Sequence, residues 1–113
     1  MSVVIYHNPR CSKSRQTLAL IEGKGVTPKI VEYLDTPPSA DELKEILSKL
    51  GKPAAEIVRK KEAIEEGIDL SALSEAALIE ALASHPRAIE RPIVIKGNRA
   101  VLGRPPENVL EIL

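Results

Sequence analysis

Residues 3–15 read VVIYHNPRCSKSR and contain Cys11, the only cysteine in the 113-residue chain. The run 3–6 is short and rich in β-branched residues, which indicates a strand buried on both faces. Asn8-Pro9 marks a turn, and a helical pattern begins directly behind the cysteine. A helix N-terminus carries unpaired N–H groups and about half a positive charge, which stabilise a thiolate. The placement suits a reactive thiol, but a lone cysteine is more often a small buried apolar residue than a nucleophile.

The pattern after Cys11 predicts a βαβ unit. Ser12 or Ser14 is a plausible N-cap, and the helix is expected to continue through Ile21 and to end at the glycines 23 and 25. Residues 29–33, with the β-branched Ile30 and Val31, then read as a second strand. Strand, helix and strand within about thirty residues imply a parallel, right-handed crossover.

The middle of the chain is predicted to be helical. Ser39 and Glu42 form a capping-box pattern, and apolar residues follow at helical spacing over 43–50. Strand character returns at 93–95 and 100–102, around a Gly97-Asn98 hairpin signal, before a last short helix. The expected fold class is α/β: a mixed four-stranded sheet with flanking helices, in a single domain over 1–113 with a helical insertion at about 37–86.

Composition restricts the function classes. Sixteen basic and sixteen acidic residues give a formal net charge of zero, which argues against nucleic acid as a partner. No apolar run is long enough to span a membrane, and no secretory signal precedes the first strand, so we predict a cytoplasmic location. A single cysteine forms no internal disulfide. If Cys11 carries out redox chemistry, a second molecule must therefore supply the other thiol.

Three arginines, Arg59, Arg91 and Arg104, stand at predicted element boundaries. A guanidinium stays charged and matches the geometry of an oxyanion, although boundary arginines also bind backbone carbonyls or face solvent. His7 and Ser14 are candidates for contact with the thiol, but a structural role explains each equally well.

Several other kinds of site are excluded by spacing. A phosphatase loop requires arginine six residues after the cysteine, where Thr17 stands, and Arg15 comes too early. A dithiol site of the thioredoxin type requires a second cysteine in place of Ser14. One cysteine and two distant histidines form no zinc site, so no metal is expected, and no glycine-rich phosphate or dinucleotide loop is present.

The residues around Cys11 match those of a known family. The pattern His7-Asn8-Pro9-x-Cys11-x-x-Ser14-Arg15-x-Thr17-Leu18 resembles the active-site loop of the glutaredoxin-coupled arsenate reductases, which have a thioredoxin-like fold. The match continues in the same order along the chain through Val58-Arg59-Lys60, Arg91-Pro92-Ile93-Val94 and Arg104-Pro105-x-Glu107-x-Val109-Leu110.

The resemblance implies a role for each of these residues. Cys11 would be the nucleophile, and the three arginines 59, 91 and 104 would bind the oxyanion. Pro92 would follow a cis peptide bond, with His7 and Ser14 near the thiol. The implied substrate is arsenate or a similar oxyanion, with no bound cofactor. Glutathione would serve as co-substrate, and glutaredoxin would release the glutathione that remains on the cysteine.

One departure from the pattern lies at Ser12-Lys13, where well-known arsenic-resistance members have Gly-Thr. Two alternative functions therefore remain open. The first is a glutathione-dependent thiol oxidoreductase with another substrate. The second is an Spx-type regulator that binds RNA polymerase, against which Ser14 argues because such regulators commonly switch through two cysteines.

Overall fold

The computed structural model describes residues 2–113, which form two compact units. The first unit combines the N-terminal residues up to Thr36 with Arg91–Leu113, and the second is Pro37–Glu90. The second unit thus begins where the helical insertion was predicted and ends four residues later than expected. That the whole chain is a single domain stays a prediction.

The first unit contains a mixed four-stranded sheet. Its strands are β1 (Val3–His7), β2 (Lys29–Glu32), β3 (Ile93–Lys96) and β4 (Arg99–Leu102), arranged in the order β2-β1-β3-β4. β1 runs parallel to β2 and antiparallel to β3, and β3 pairs antiparallel with β4. The predicted fold class is confirmed. Because β1 is a central strand, its carboxyl end lies between β2 and β3. The loop that leads to Cys11 begins there.

Helix α1 (Ser12–Gly23) connects β1 to β2 and packs on the C-terminal segment of the same unit. The buried core here is aliphatic and comprises Val3, Ile5, Ile21, Val94, Val109 and Ile112. The last predicted helix is a 3-10 helix over Pro106–Glu111. Pro105 and Pro106 both lack an N–H, and a segment of this length gains little from α-helical bonds.

Within residues 37–90, the regular elements are all helical. They are α2 (Ala40–Leu50), α3 (Lys60–Glu65) and α4 (Glu75–Ser84), with 3-10 helices at Ala54–Ile57 and Pro86–Ala88. The predicted capping box is present: Glu42 N–H donates to Ser39 Oγ at 3.2 Å, and Ser39 N–H donates to Glu42 Oε1 at 3.0 Å. The apolar faces of α2 and α4 pack together and supply the core of this unit.

Across the described residues 2–113, no helix has the length and apolar character that crossing a membrane requires.

Candidate active site

A tight loop carries the chain from β1 to Cys11. The N–H of Cys11 donates to the carbonyl of Asn8 at 3.0 Å, and the side chain of Asn8 accepts the N–H of Arg10 at 3.0 Å. Arg15 reaches back from α1 and donates to the carbonyl of Pro9 at 2.9 Å. These hydrogen bonds hold the loop in a defined conformation, which positions the cysteine at the start of the helix. The sequence indicated the turn, but it did not reveal the organising role of Asn8.

Cys11 itself is the N-cap residue of α1, with extended backbone angles. The expectation that Ser12 or Ser14 caps the helix is therefore wrong, because the helix already begins at Ser12. The sulfur accepts no cap hydrogen bond of ordinary geometry. It nevertheless lies where a capping side chain meets the second and third N–H groups of a helix, here those of Lys13 and Ser14.

The pKa of Cys11 is lowered from its ordinary value of 9.0, although burial alone raises it. The opposing influences are the backbone N–H of Ser14, the side chain and charge of Arg91, and the backbone N–H of Lys13. Together they outweigh burial and favour the thiolate, the form of cysteine that acts as a nucleophile. This outcome agrees with the effect expected at a helix N-terminus.

Ser14 is fully buried, and its hydroxyl forms hydrogen bonds with His7 and Asn8. Ser14 Oγ lies 2.6 Å from Nδ1 of His7 and accepts the N–H of Asn8 at 3.0 Å. Burial lowers the pKa of His7, and Arg15 lowers it further, against an upward influence of Glu32. The neutral imidazole is thus favoured. His7 and Ser14 support the loop, and Ser14 acts on the sulfur through its backbone N–H instead of its hydroxyl.

Two of the three predicted arginines meet at the sulfur. Nη2 of Arg104 lies 3.6 Å from Sγ of Cys11, and Nε of the same side chain donates to the carbonyl of Arg91 at 2.8 Å. The side chain of Arg91 is near enough to lower the pKa of the thiol through hydrogen bonding and charge. Residues from two ends of the chain are therefore brought together around one thiol. For Arg104 the sequence left two roles open, binding of a backbone carbonyl and a place beside an anion. The structure shows the side chain bound to a carbonyl and also facing the candidate nucleophile.

The backbone that carries these two arginines is closely packed against α1. Gly103 N–H donates to the carbonyl of Pro92 at 2.9 Å. The hydroxyl of the buried Thr17 donates to the carbonyl of Lys13 at 2.8 Å and lies 3.4 Å from the carbonyl of Gly103. The peptide bond before Pro92 is cis, in agreement with the family pattern, and so is the bond before Pro105. Sequence reasoning missed Gly103 and Thr17 as neighbours, since only the fold brings them together.

Arg59 belongs to the second unit, where its guanidinium meets two carboxylates. Nη1 lies 2.9 Å from Oε1 of Glu90, and Nε lies 3.2 Å from Oε2 of Glu62. Neither partner was predicted. The spacing of three residues between Arg59 and Glu62 is a usable signal at a helix start, whereas nothing in the sequence links Arg59 to Glu90.

The site combines a stabilised thiolate with two guanidinium groups beside it. Such an arrangement can hold an oxyanion next to a nucleophile, since the arginines attract the anion and leave the sulfur in contact with it. Within residues 2–113, no group of three or more His, Cys, Asp or Glu side chains is arranged to hold a metal ion.

Comparison with known proteins gives consistent results. Residues 6–112 match the model of the ArsC family. The chain is 51% identical to an arsenate reductase of Haemophilus influenzae, over all of both chains. It is also 51% identical to a protein of Escherichia coli K12 named "Uncharacterized protein YfgD", over 98% of this chain and 96% of that one. The solved structure of an arsenate reductase from Vibrio cholerae superposes with a TM-score of 0.94 at 52% identity, covering 100% of this chain and 98% of that one.

Proposed function

Because this chain belongs to the ArsC family, we propose that it is an arsenate reductase with Cys11 as its nucleophile. The observation that carries the proposal is the 3.6 Å approach of the Arg104 guanidinium to the Cys11 sulfur. A cation beside a helix-capping thiol both stabilises the thiolate and attracts an anionic substrate. The arsenate reductases named among the relatives support the choice of arsenate as that substrate.

Arsenate carries one or two negative charges near neutral pH. In the proposed complex it lies against Arg91 and Arg104, near the N-terminus of α1, whose dipole favours negative charge. An arginine fork holds two oxygens of a tetrahedral oxyanion at once and so orients the arsenic toward the sulfur. His7, Ser14 and Pro92 support this arrangement by holding the loop and the arginine-bearing backbone in place.

The proposed reaction proceeds in two covalent steps. The Cys11 thiolate attacks arsenic, a sulfur–arsenic bond forms, and one arsenate oxygen takes up protons and leaves as water. The thiolate of glutathione then attacks the Cys11 sulfur. The sulfur–arsenic bond breaks, its electron pair stays on arsenic, and arsenic(V) becomes arsenic(III). Arsenite is released, and Cys11 remains joined to glutathione in a mixed disulfide, so two thiols have supplied two electrons.

Regeneration requires a thiol from another molecule, because the chain has no second cysteine. We assign this role to glutaredoxin, which attacks the mixed disulfide and returns Cys11 to its reduced form. The assignment rests on the resemblance of the active-site pattern to the glutaredoxin-coupled reductases. Cytoplasmic conditions, in which thiols are kept reduced, suit such a cycle.

A coupled assay tests the proposal. Purified protein is supplied with NADPH, glutathione reductase, glutathione and glutaredoxin, and the oxidation of NADPH is followed with and without arsenate. We expect arsenate-dependent oxidation by the native chain and none above the protein-free rate for Cys11→Ser. Ser48→Ala, at an exposed position of α2, is the matched serine control and should retain native activity.

The donor is tested in a second set of reactions. Replacing glutathione and glutaredoxin by thioredoxin and its reductase should abolish turnover. Activity with thioredoxin alone would overturn the glutaredoxin assignment but keep the arsenate reductase. If the native chain ignores arsenate but reduces glutathione mixed disulfides, the function is that of a glutathione-dependent thiol oxidoreductase.

A further inference from the structure

Two prolines follow the segment 102–104, which leads from the end of β4 to the last 3-10 helix and ends in Arg104. In a turn or at the start of a helix, a carbonyl accepts the N–H of the residue three or four positions later. For the carbonyl of Leu102 these positions are Pro105 and Pro106, and proline has no N–H. The local backbone therefore offers no such donor to this carbonyl, and a side chain can take its place.

The side chain of Asn108 supplies the missing donor. Its Nδ2 donates to the carbonyl of Leu102 at 3.3 Å and to the carbonyl of Arg104 at 3.0 Å. A carbonyl only accepts hydrogen bonds, and an amide NH2 group has two hydrogens to donate, so one side chain bonds both carbonyls. Asn108 belongs to the 3-10 helix Pro106–Glu111, and its side chain reaches back past the start of that helix. It thus joins the two ends of the segment 102–104.

Gly103, in the middle of this segment, is held by other parts of the same unit. Its N–H donates to the carbonyl of Pro92 at 2.9 Å, and its carbonyl lies 3.4 Å from the hydroxyl of Thr17 on α1. Each carbonyl of the segment 102–104 therefore lies within hydrogen-bond distance of a side-chain donor, and Asn108 accounts for two of the three.

The segment ends in a side chain that lies against the thiol. Nε of Arg104 donates to the carbonyl of Arg91 at 2.8 Å, and Nη2 lies 3.6 Å from Sγ of Cys11. We propose that Asn108 is a positioning residue: it holds the backbone that carries Arg104 and so fixes the place of the guanidinium beside Cys11. The inference deepens the proposed function and rests on it for arsenate as the substrate. Asn108 acts through Arg104 and is assigned no contact with the oxyanion.

Asn108→Leu tests the two hydrogen bonds, because leucine is similar in size and shape but has no donor. The measurement is the arsenate concentration that halves the rate of Cys11 alkylation by iodoacetamide. We expect this concentration to rise by about threefold to tenfold, the effect of a lost neutral hydrogen bond. Asn108→Gln keeps the amide donor on a longer side chain and should lose less. An Asn108→Leu value equal to the native one would overturn the proposal.

A double-mutant cycle separates positioning from general support of the fold. If Asn108 acts through Arg104, its replacement has no further effect once the guanidinium is removed. Asn108→Leu should therefore leave arsenate protection unchanged in an Arg104→Ala background. A loss by the same factor in both backgrounds would mean that the two side chains act independently, which contradicts the positioning role. Glu111→Leu is the matched control, because Glu111 is exposed on the same 3-10 helix; it should leave the native value unchanged.

Hydrogen exchange provides a readout that does not depend on arsenate. In Asn108→Leu, the N–H of Gly103 should exchange about tenfold faster relative to that of Ile5 in the central strand β1, because the segment is released while the sheet is kept. Asn108→Gln should release it less, and Glu111→Leu not at all. An unchanged ratio of the two exchange rates in Asn108→Leu would refute the proposal. If arsenate fails to protect even the native chain, the proposed function fails, and the exchange ratio still decides the role of Asn108.

Discussion

The sulfur of Cys11 is partly buried, which by itself disfavours its charge. Two kinds of group reverse that preference and lower the pKa of the thiol: the backbone N–H groups of Ser14 and Lys13 at the start of α1, and the side chain of Arg91. The guanidinium of Arg104 also lies 3.6 Å from the sulfur. None of them comes from the residues immediately preceding the cysteine. The reactivity of this residue therefore depends on long-range folding, because Arg91 and Arg104 are distant from it in the sequence.

The pH dependence of Cys11 alkylation follows from this environment. Because the folded pKa is lowered, the thiolate persists to lower pH than in an unfolded chain. The alkylation rate should reach half its maximum below pH 9.0, the ordinary value. Arg91→Ala removes a bond and a charge that lower the pKa, so the midpoint should move upward. The same variant should lower kcat/KM for arsenate by about tenfold to a hundredfold, the effect of a lost charged hydrogen bond.

Arg99→Ala provides the control for general loss of positive charge, since Arg99 is exposed at the start of β4. Its midpoint and kcat/KM should match those of the native chain. An Arg91→Ala midpoint equal to the native one would show that this guanidinium does not stabilise the thiolate.

The sequence was sufficient to place Cys11 between a strand and a helix, because that position is local information. The boundary positions and the family pattern also drew attention to Arg91 and Arg104, which the structure places near the thiol; their role in binding an oxyanion stays a prediction. The sequence could not reveal that the Ser14 hydroxyl turns toward His7, since the direction of a buried side chain depends on neighbours across the fold. For the same reason, the pairing of Arg59 with Glu90 had no sequence signal.

At the level of elements, the chain directly after β4 packs closely on α1 and on Pro92 at Gly103. A Cβ at this position would lie 2.5 Å from Oγ1 of Thr17 and 2.7 Å from Cγ of Pro92. No real Cβ tolerates such approaches, so a larger residue must displace either the helix or the chain around Pro92. Arg91 directly precedes Pro92 and Arg104 directly follows Gly103, and the side chains of both arginines lie near the thiol.

Gly103→Ala is therefore expected to reduce the free energy of unfolding by about 1–3 kcal/mol through overpacking. Urea denaturation followed by circular dichroism measures the loss. Gly23→Ala is the matched control, because nothing lies within 4 Å of a Cβ at Gly23. That variant should be unchanged or more stable by at most about 1 kcal/mol, since alanine is the better helix former. Equal stabilities of the two variants would contradict the close packing at Gly103.

Elements with strong local signals were predicted well. The capping box of α2, the glycine at its end and the hairpin between β3 and β4 all have residue types that specify local geometry. The start of α1 was misassigned because two serines are better caps by residue type than cysteine is. The C-terminal 3-10 helix was expected as an ordinary helix, since apolar spacing alone does not distinguish the two.

For the molecule as a whole, the sheet-bearing unit has a core without phenylalanine or tryptophan. Its stability must therefore come from many aliphatic contacts of similar size. Ile5 lies at the centre of this core, fully buried in β1 and paired with residues of both β2 and β3. Loss of this one side chain affects contacts on both sides of the sheet centre.

Ile5→Ala should reduce the free energy of unfolding by about 2–5 kcal/mol, the range for large-to-small substitutions in a core. Ile64→Ala is the matched control, because Ile64 is 74% exposed on α3; it should change stability by no more than about 0.5 kcal/mol. Urea titrations of both variants give the comparison. A small loss for Ile5→Ala would show that the sheet relaxes into the vacated space.

The single sulfur at the head of α1 also has a kinetic consequence. In the proposed cycle, a protein without an internal partner thiol would stop after each round until another molecule reduces its cysteine. Its throughput would then follow the abundance and reduction state of the surrounding thiol donors. Under oxidative stress, the same dependence would hold the protein in a capped, idle form until reducing equivalents return.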